Sequence, residues 1–67
     1  MASFVIDFDI DNAAFDDGRG GASEVARILT TLALKVADEP VLAPGELYNL
    51  RDINGNSVGH ATVTGDE

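Results

Sequence analysis

The chain has 67 residues, with 12 acidic and 4 basic side chains, one His and no Cys, for a formal net charge of −8. One short domain of this kind buries only about 60% of its unfolded surface, so disulfides, a metal or a partner subunit normally supplement its core. The absence of Cys excludes disulfides and thiolate metal sites, one His excludes a His-rich zinc site within one chain, and the acidic balance argues against a nucleic-acid backbone as the main ligand.

Residues 3–10 alternate: Phe4, Ile6, Phe8 and Ile10 fall on one face, and Val5, Asp7, Asp9 and then Asp11 on the other. This period of two predicts a half-buried strand with an apolar face and an acidic stripe. Residues 11–22 carry Asp16, Asp17, Gly18, Arg19, Gly20 and Gly21 and read as a loop, with Phe15 folded back over one end of the core. Residues 23–38 read as a helix, because Val25, Ile28, Leu29, Leu32 and Val36 recur at helical spacing and Pro40 stops the run. Its cap is either Gly21 with Glu24 as half a capping box, or Ser23. Glu24, Arg27, Thr31, Lys35 and Asp38 form its polar face. A second stripe of Ala26, Thr30, Ala33, Leu34 and Ala37 exceeds what one sheet needs, and is the expected oligomer interface.

Residues 46–64 read as a hairpin turning at Asn54-Gly55, a strong signal for a tight turn with positive φ. A two-residue loop sets Ile53 against Asn56, Leu50 against Gly59 and Tyr48 against Ala61 on the core face. It also sets Arg51 against Val58 and Asn49 against His60 on the other face. A three-residue loop with a bulge at Asn56 shifts some of these pairs. The expected architecture is α+β: a β-α-β-β order with one helix on a small three-stranded sheet. The N-terminus has no basic segment and no long apolar run, so neither a signal peptide nor a membrane span is expected.

Four constellations bear on function. Asp7, Asp9 and Asp11 project roughly 7 Å apart along one strand face, a spacing that suits a divalent cation or simply a solvated edge. With Asp16, Asp17, Asp38, Glu39 and Glu46 they could instead imitate phosphate charge. Gly18-Arg19-Gly20-Gly21 runs into a helix N-terminus, where backbone N–H groups and Arg19 suit an anion. Arg51, His60 and Asn49 share the open sheet face, where an oligomer would gather them into a basic pocket. His60 with Asp52 is the nearest approach to a base and its orienter, and no motif for catalysis is present.

Asn12-Ala13-Ala14-Phe15 with Glu24-Val25-Ala26-Arg27-Ile28-Leu29, and Leu50-Arg51-Asp52-Ile53-Asn54-Gly55-Asn56 with Val58-Gly59, together resemble a widespread family of small, uncharacterised proteins of tailed bacteriophages. The resemblance covers most of the chain, and the hairpin segment is its more specific part. It implies a phage accessory protein acting in the cytoplasm of the bacterial host. Many small phage proteins of that kind counter host defences, by binding a host protein or by sequestering a nucleotide signal. It supplies no catalytic residue.

The expected function is therefore that of a non-catalytic homo-oligomer. It would sequester a small phosphorylated signal, a cyclic nucleotide, through Arg19, Gly20, Gly21, Arg27, Asn49, Arg51 and His60. An acidic inhibitor or DNA mimic bound to a host protein is one alternative, and a structural or regulatory phage protein without a ligand is the other. No cofactor, metal, membrane or direct nucleic-acid contact is expected.

Overall fold

The computed structural model describes residues 2–16 and 18–65; Asp17 of the expected loop and residues 66 and 67 of the tail lie outside it. Strand β1 (Ser3–Phe8) is followed by a 3₁₀ turn (Ala13–Phe15), helix α1 (Ala22–Ala37), and strands β2 (Leu47–Arg51) and β3 (Ser57–Thr64). The sheet is antiparallel in the order β1-β3-β2, so the last strand is central and β1 and β2 are both edges. This is the α+β, β-α-β-β arrangement that the periodicities predict.

Alternation along each strand builds one apolar face. Phe4 pairs with Val63, Ile6 with Ala61 and Phe8 with Gly59; from the other side, Tyr48 meets Ala61 and Leu50 meets Gly59. Large residues on the edges thus flank small ones in the centre. Gly59 has a steric reason: a Cβ there would strike the Asp7 carbonyl oxygen and Phe8. α1 lays Ile28 and Leu32 on this face, and Phe15 folds back to join them, as its position in the loop suggested. These residues form one core with Tyr48, Leu50 and Ala61.

Four boundaries differ from the sequence reading. β1 stops at Phe8 rather than residue 10. Asp9 still donates its N–H to the Val58 carbonyl at 2.9 Å, but a register shift opposite Leu50 and Arg51 bends β3 there. Ile10 is left 47% exposed. The helix begins at Ala22 because Gly21, at φ 87°, takes the N-cap position with no side-chain cap. Of the two caps the sequence offers, Gly21 is the one used and Ser23 is not; Glu24 completes no capping box, because its carboxylate holds Arg27 and the Ile53 N–H. The helix ends at Ala37, where Asp38 and Glu39 donate to Lys35 and Val36 in a tightened last turn before Pro40. The hairpin uses the three-residue alternative. Asp52 N–H bonds the Asn56 carbonyl at 2.9 Å, Gly55 N–H bonds the Asp52 carbonyl at 3.0 Å, and Gly55 sits at φ 85°. Arg51 consequently opposes Ser57, not Val58.

The two flanks of α1 meet the two sheet edges. Its Arg27–Thr31–Lys35 row lies beside β2, and its Leu29–Ala33–Ala37 row lies beside β1. No helix among the described residues is long and apolar enough to cross a membrane.

Candidate anion-binding cleft

Arg27, Thr31 and Lys35 follow one another at four-residue spacing and so share a helix flank. Asn49 and Arg51 are alternate residues of β2. Val63 exchanges hydrogen bonds with the Gly45–Glu46 end of β2, so the odd residues of β2 turn their N–H and C=O to the free edge. Arg27 confirms this geometry, since its Nη2 donates to the Arg51 carbonyl at 2.9 Å. Between helix flank and strand edge lies a cleft of about 300 Å³ floored by Ile28, Leu32 and Leu50. Arg27, Lys35 and Arg51, three of the four basic residues, line it.

Each cation is held differently. Arg27 forks onto Glu24, with Nε to Oε1 at 2.9 Å and Nη2 to Oε2 at 2.8 Å. Glu24 is buried, not on a solvated face as the helical wheel suggested, and it also accepts the Ile53 N–H at 2.8 Å. The Arg27 hydrogen bond holds the Glu24 carboxyl below its ordinary range; burial opposes this and Ile53 assists. Glu24 in turn raises the Arg27 guanidinium. Arg51 donates Nη1 to the Gly55 carbonyl at 3.2 Å. With its amide oxygen turned to Arg51 Nη2 at 3.1 Å, Asn49 also donates to Ser57 Oγ at 2.8 Å and to the Gly59 carbonyl at 3.2 Å. The Lys35 side chain makes no hydrogen bond or ion pair among the described residues.

A second buried carboxylate locks the wall of the cleft. Asp52 accepts the N–H groups of Asn54 and Asn56 at 2.9 Å, Asn56 Nδ2 at 3.2 Å and Asn12 Nδ2 at 2.8 Å. Burial alone would raise its pKa, but these hydrogen bonds, led by those from Asn56, outweigh it and hold the carboxyl low. Asn12, Glu24, Arg27 and the 51–56 segment thus form one polar knot joining the 3₁₀ turn, the helix and the hairpin. Residues 12–15, 24–29 and 50–56 thus have structural work at this end of the fold.

Of the expected ligand residues, Arg27, Asn49 and Arg51 line the cleft, but the side chains of Asn49 and Arg51 turn to the open sheet face that His60 shares, as the alternation predicts. Arg19 donates to Ser23 Oγ at 3.0 Å on the turn before the helix, Gly20 is exposed there, and Gly21 is buried against Phe15. All three stand outside the cleft lining. His60 is on the open sheet face, between Asp7 and Asn49 in register, and it does not meet Asp52, whose oxygens are taken by the three asparagines. The aspartate row is cut short where β1 ends, and no group of three or more His, Asp or Glu among the described residues could hold a metal. Of the expected interface, Ala33 and Ala37 face β1, Thr30 Oγ1 bonds the Ala26 carbonyl at 2.8 Å, and Leu34 is 70% exposed. The sequence reading missed Thr31 and Lys35 as cleft residues, although their four-residue spacing from Arg27 was the available signal. No protein family, curated protein or solved structure matches the chain.

Proposed function

We propose that the protein is a non-catalytic binding protein whose cleft takes a small phosphorylated ligand of cyclic-nucleotide size. The observation that carries this reading is the cleft between the Arg27–Thr31–Lys35 flank and the outward edge of β2, a basic row in a chain of net charge −8. Lys35 supplies charge to phosphate oxygens, the outward Asn49 N–H supplies a backbone donor, and the apolar floor suits a base ring. The cleft volume of about 300 Å³ is at the small end for ligand sites, which favours one nucleotide unit. Glu24 and Asp52 are committed to fixed hydrogen bonds, so the site supports holding a ligand rather than transforming one. The phage resemblance supplies a context, sequestration of a host defence signal in the bacterial cytoplasm.

Calorimetry against a panel of cyclic mono- and dinucleotides tests the proposal. A charge-assisted hydrogen bond is worth about 1.5–3 kcal/mol, so Lys35→Ala should weaken binding by roughly ten- to a hundredfold. Arg19→Ala and Asp7→Asn should leave it unchanged. Silence across the panel at the highest soluble protein concentration would overturn the reading. Binding lost with Arg19→Ala but kept with Lys35→Ala would move the ligand to the glycine turn.

A further inference from the structure

We infer that β1 pairs with β1 of a second copy, antiparallel about a two-fold axis, to give a continuous six-stranded sheet. The inference concerns the edge away from the cleft and stands independently of the cleft's ligand.

Three observations support a partner here. First, the edge is open. Asp9 bonds Val58 across the β1–β3 ladder. In such a ladder alternate residues face the same neighbour, so Phe4, Ile6 and Phe8 turn their N–H and C=O outward. Ser3–Phe8 carries no Pro, no Lys and no bulge, and Asp7 is its one charged guard. Second, β1 has no buried residue: Phe4 is 38% and Ile6 41% exposed on the face meant for the core. With Leu29, Ala33 and Ala37 they line an apolar groove of about 360 Å³. Third, the chain exposes 4526 Å², against about 4,000 Å² expected for a monomer of this mass. An interface that covered as much as this on each copy would remove on the order of 1,000 Å², the lower limit for a specific interface.

Self-pairing is favoured over another occupant because β1 is complementary to itself. With Val5 on the axis, Phe4 lies opposite the partner copy's Ile6, and Ser3 opposite its Asp7. Each apolar residue meets an apolar one and no carboxylates oppose each other. Centring on Asp7 would set like charges face to face. The groove beside β1 is uncharged, Asp7 is the one charge on the strand, and each copy carries −8. Added salt therefore screens repulsion between copies and strengthens the pair, whereas salt weakens anion binding in the cleft.

The test uses the absence of Cys in the chain. Val5 is 46% exposed. On the axis it would form a non-hydrogen-bonded pair with Cα atoms about 4.5 Å apart, within disulfide reach. Under mild oxidation Val5→Cys should cross-link rapidly and Asp7→Cys slowly. Sedimentation equilibrium of the unmodified chain should show a dimer that tightens from low to high NaCl. Ala33→Glu, which charges the groove, should weaken that dimer at least tenfold with an unchanged circular dichroism spectrum. A single-chain mass at every concentration and salt, equal cross-linking at both positions, or a monomer that binds phosphatidylcholine vesicles through the groove would each overturn the inference.

Discussion

Gly59→Ala isolates the steric fit between β3 and β1. The added methyl would fall inside contact distance of the Asp7 carbonyl oxygen and of Phe8. Carbon atoms settle at about 3.5–4.0 Å, so β1 must retreat by about 1 Å. That stretches the Asp9–Val58 bond from 2.9 Å beyond useful range and loosens the Asp7–His60 pair beside it. Two lost ladder bonds at about 0.5–1.5 kcal/mol each, with about 1–3 kcal/mol of overpacking, set the cost. Stiffening of the unfolded chain returns about 0.4–1 kcal/mol, which leaves a net loss of roughly 1–5 kcal/mol, centred near 3 kcal/mol. A chain of this length has about 3–10 kcal/mol in total. Gly55→Ala is the control: it sits at φ 85° with nothing within 4 Å of its Cβ, and its backbone strain costs about 1–2 kcal/mol. Urea unfolding followed by circular dichroism at fixed protein concentration should rank Gly59→Ala below Gly55→Ala. Amide exchange should accelerate at Asp7 and Asp9 only in the former. Equal midpoints, or unchanged exchange along β1, would refute the steric account.

Acid should weaken the fold through Glu24 and Asp52. Both carboxyls are lowered on folding, so their contribution is complete above the unfolded values near pH 4 and is lost as pH falls through the lower folded values. The urea midpoint should be flat from about pH 7 to about pH 5 and fall below about pH 4. Asp52→Asn should lower the midpoint at neutral pH and flatten the acid limb; an unaltered acid limb would count against the polar knot. Tyr48 behaves oppositely. Burial raises its hydroxyl, with Glu39 and Glu46 adding to the effect, and the buried oxygen has no partner among the described residues. Its stabilising contribution is present below pH about 10 and fades as pH rises through the raised folded value. Tyr48→Phe keeps the edge-on ring contact with Phe4 at 6.3 Å and should hold or raise the neutral midpoint while softening the alkaline limb. A lowered midpoint would reveal a hydrogen bond to the hydroxyl.

Much of the fold was legible because its two periodicities are clean. Alternation placed Phe4, Ile6 and Phe8 on the inner face, and counting out from Asn54-Gly55 paired Leu50 with Gly59 and Tyr48 with Ala61. That register survived the three-residue loop because the bulge in β3 restores what the longer loop displaces. The longer loop moved Arg51 onto Ser57, and the β3 bulge at Val58, which ended β1 early, has no pattern in residues 57–60 to announce it. The buried carboxylates were illegible for a related reason. Glu24 sits on the polar side of a helical wheel and Asp52 beside a turn, where solvent is the default surroundings. Only the meeting of three distant segments supplies the partners that let them go under. The cleft was half visible: Arg27, Asn49 and Arg51 were singled out, but Lys35 joins them only once α1 lies along the β2 edge.

The ladder between β1 and β3 runs from Ser3 opposite Thr64, so it joins residues 61 apart in the chain. Closing that loop costs about 2 kcal/mol more in chain entropy than closing the Arg51–Ser57 hairpin. The helix and hairpin are bolted together through Glu24 and Ile53, whereas β1 is held by one ladder and a half-covered face. β1 is therefore the last element to dock during folding and the first to detach in the folded protein. A detached β1 bares the N–H and C=O groups of His60, Thr62 and Thr64, which another chain's β1 fits as well as the chain's own. Strand exchange between copies thus becomes a concentration-dependent hazard of refolding, and rapid dilution is the condition that keeps each β1 at home.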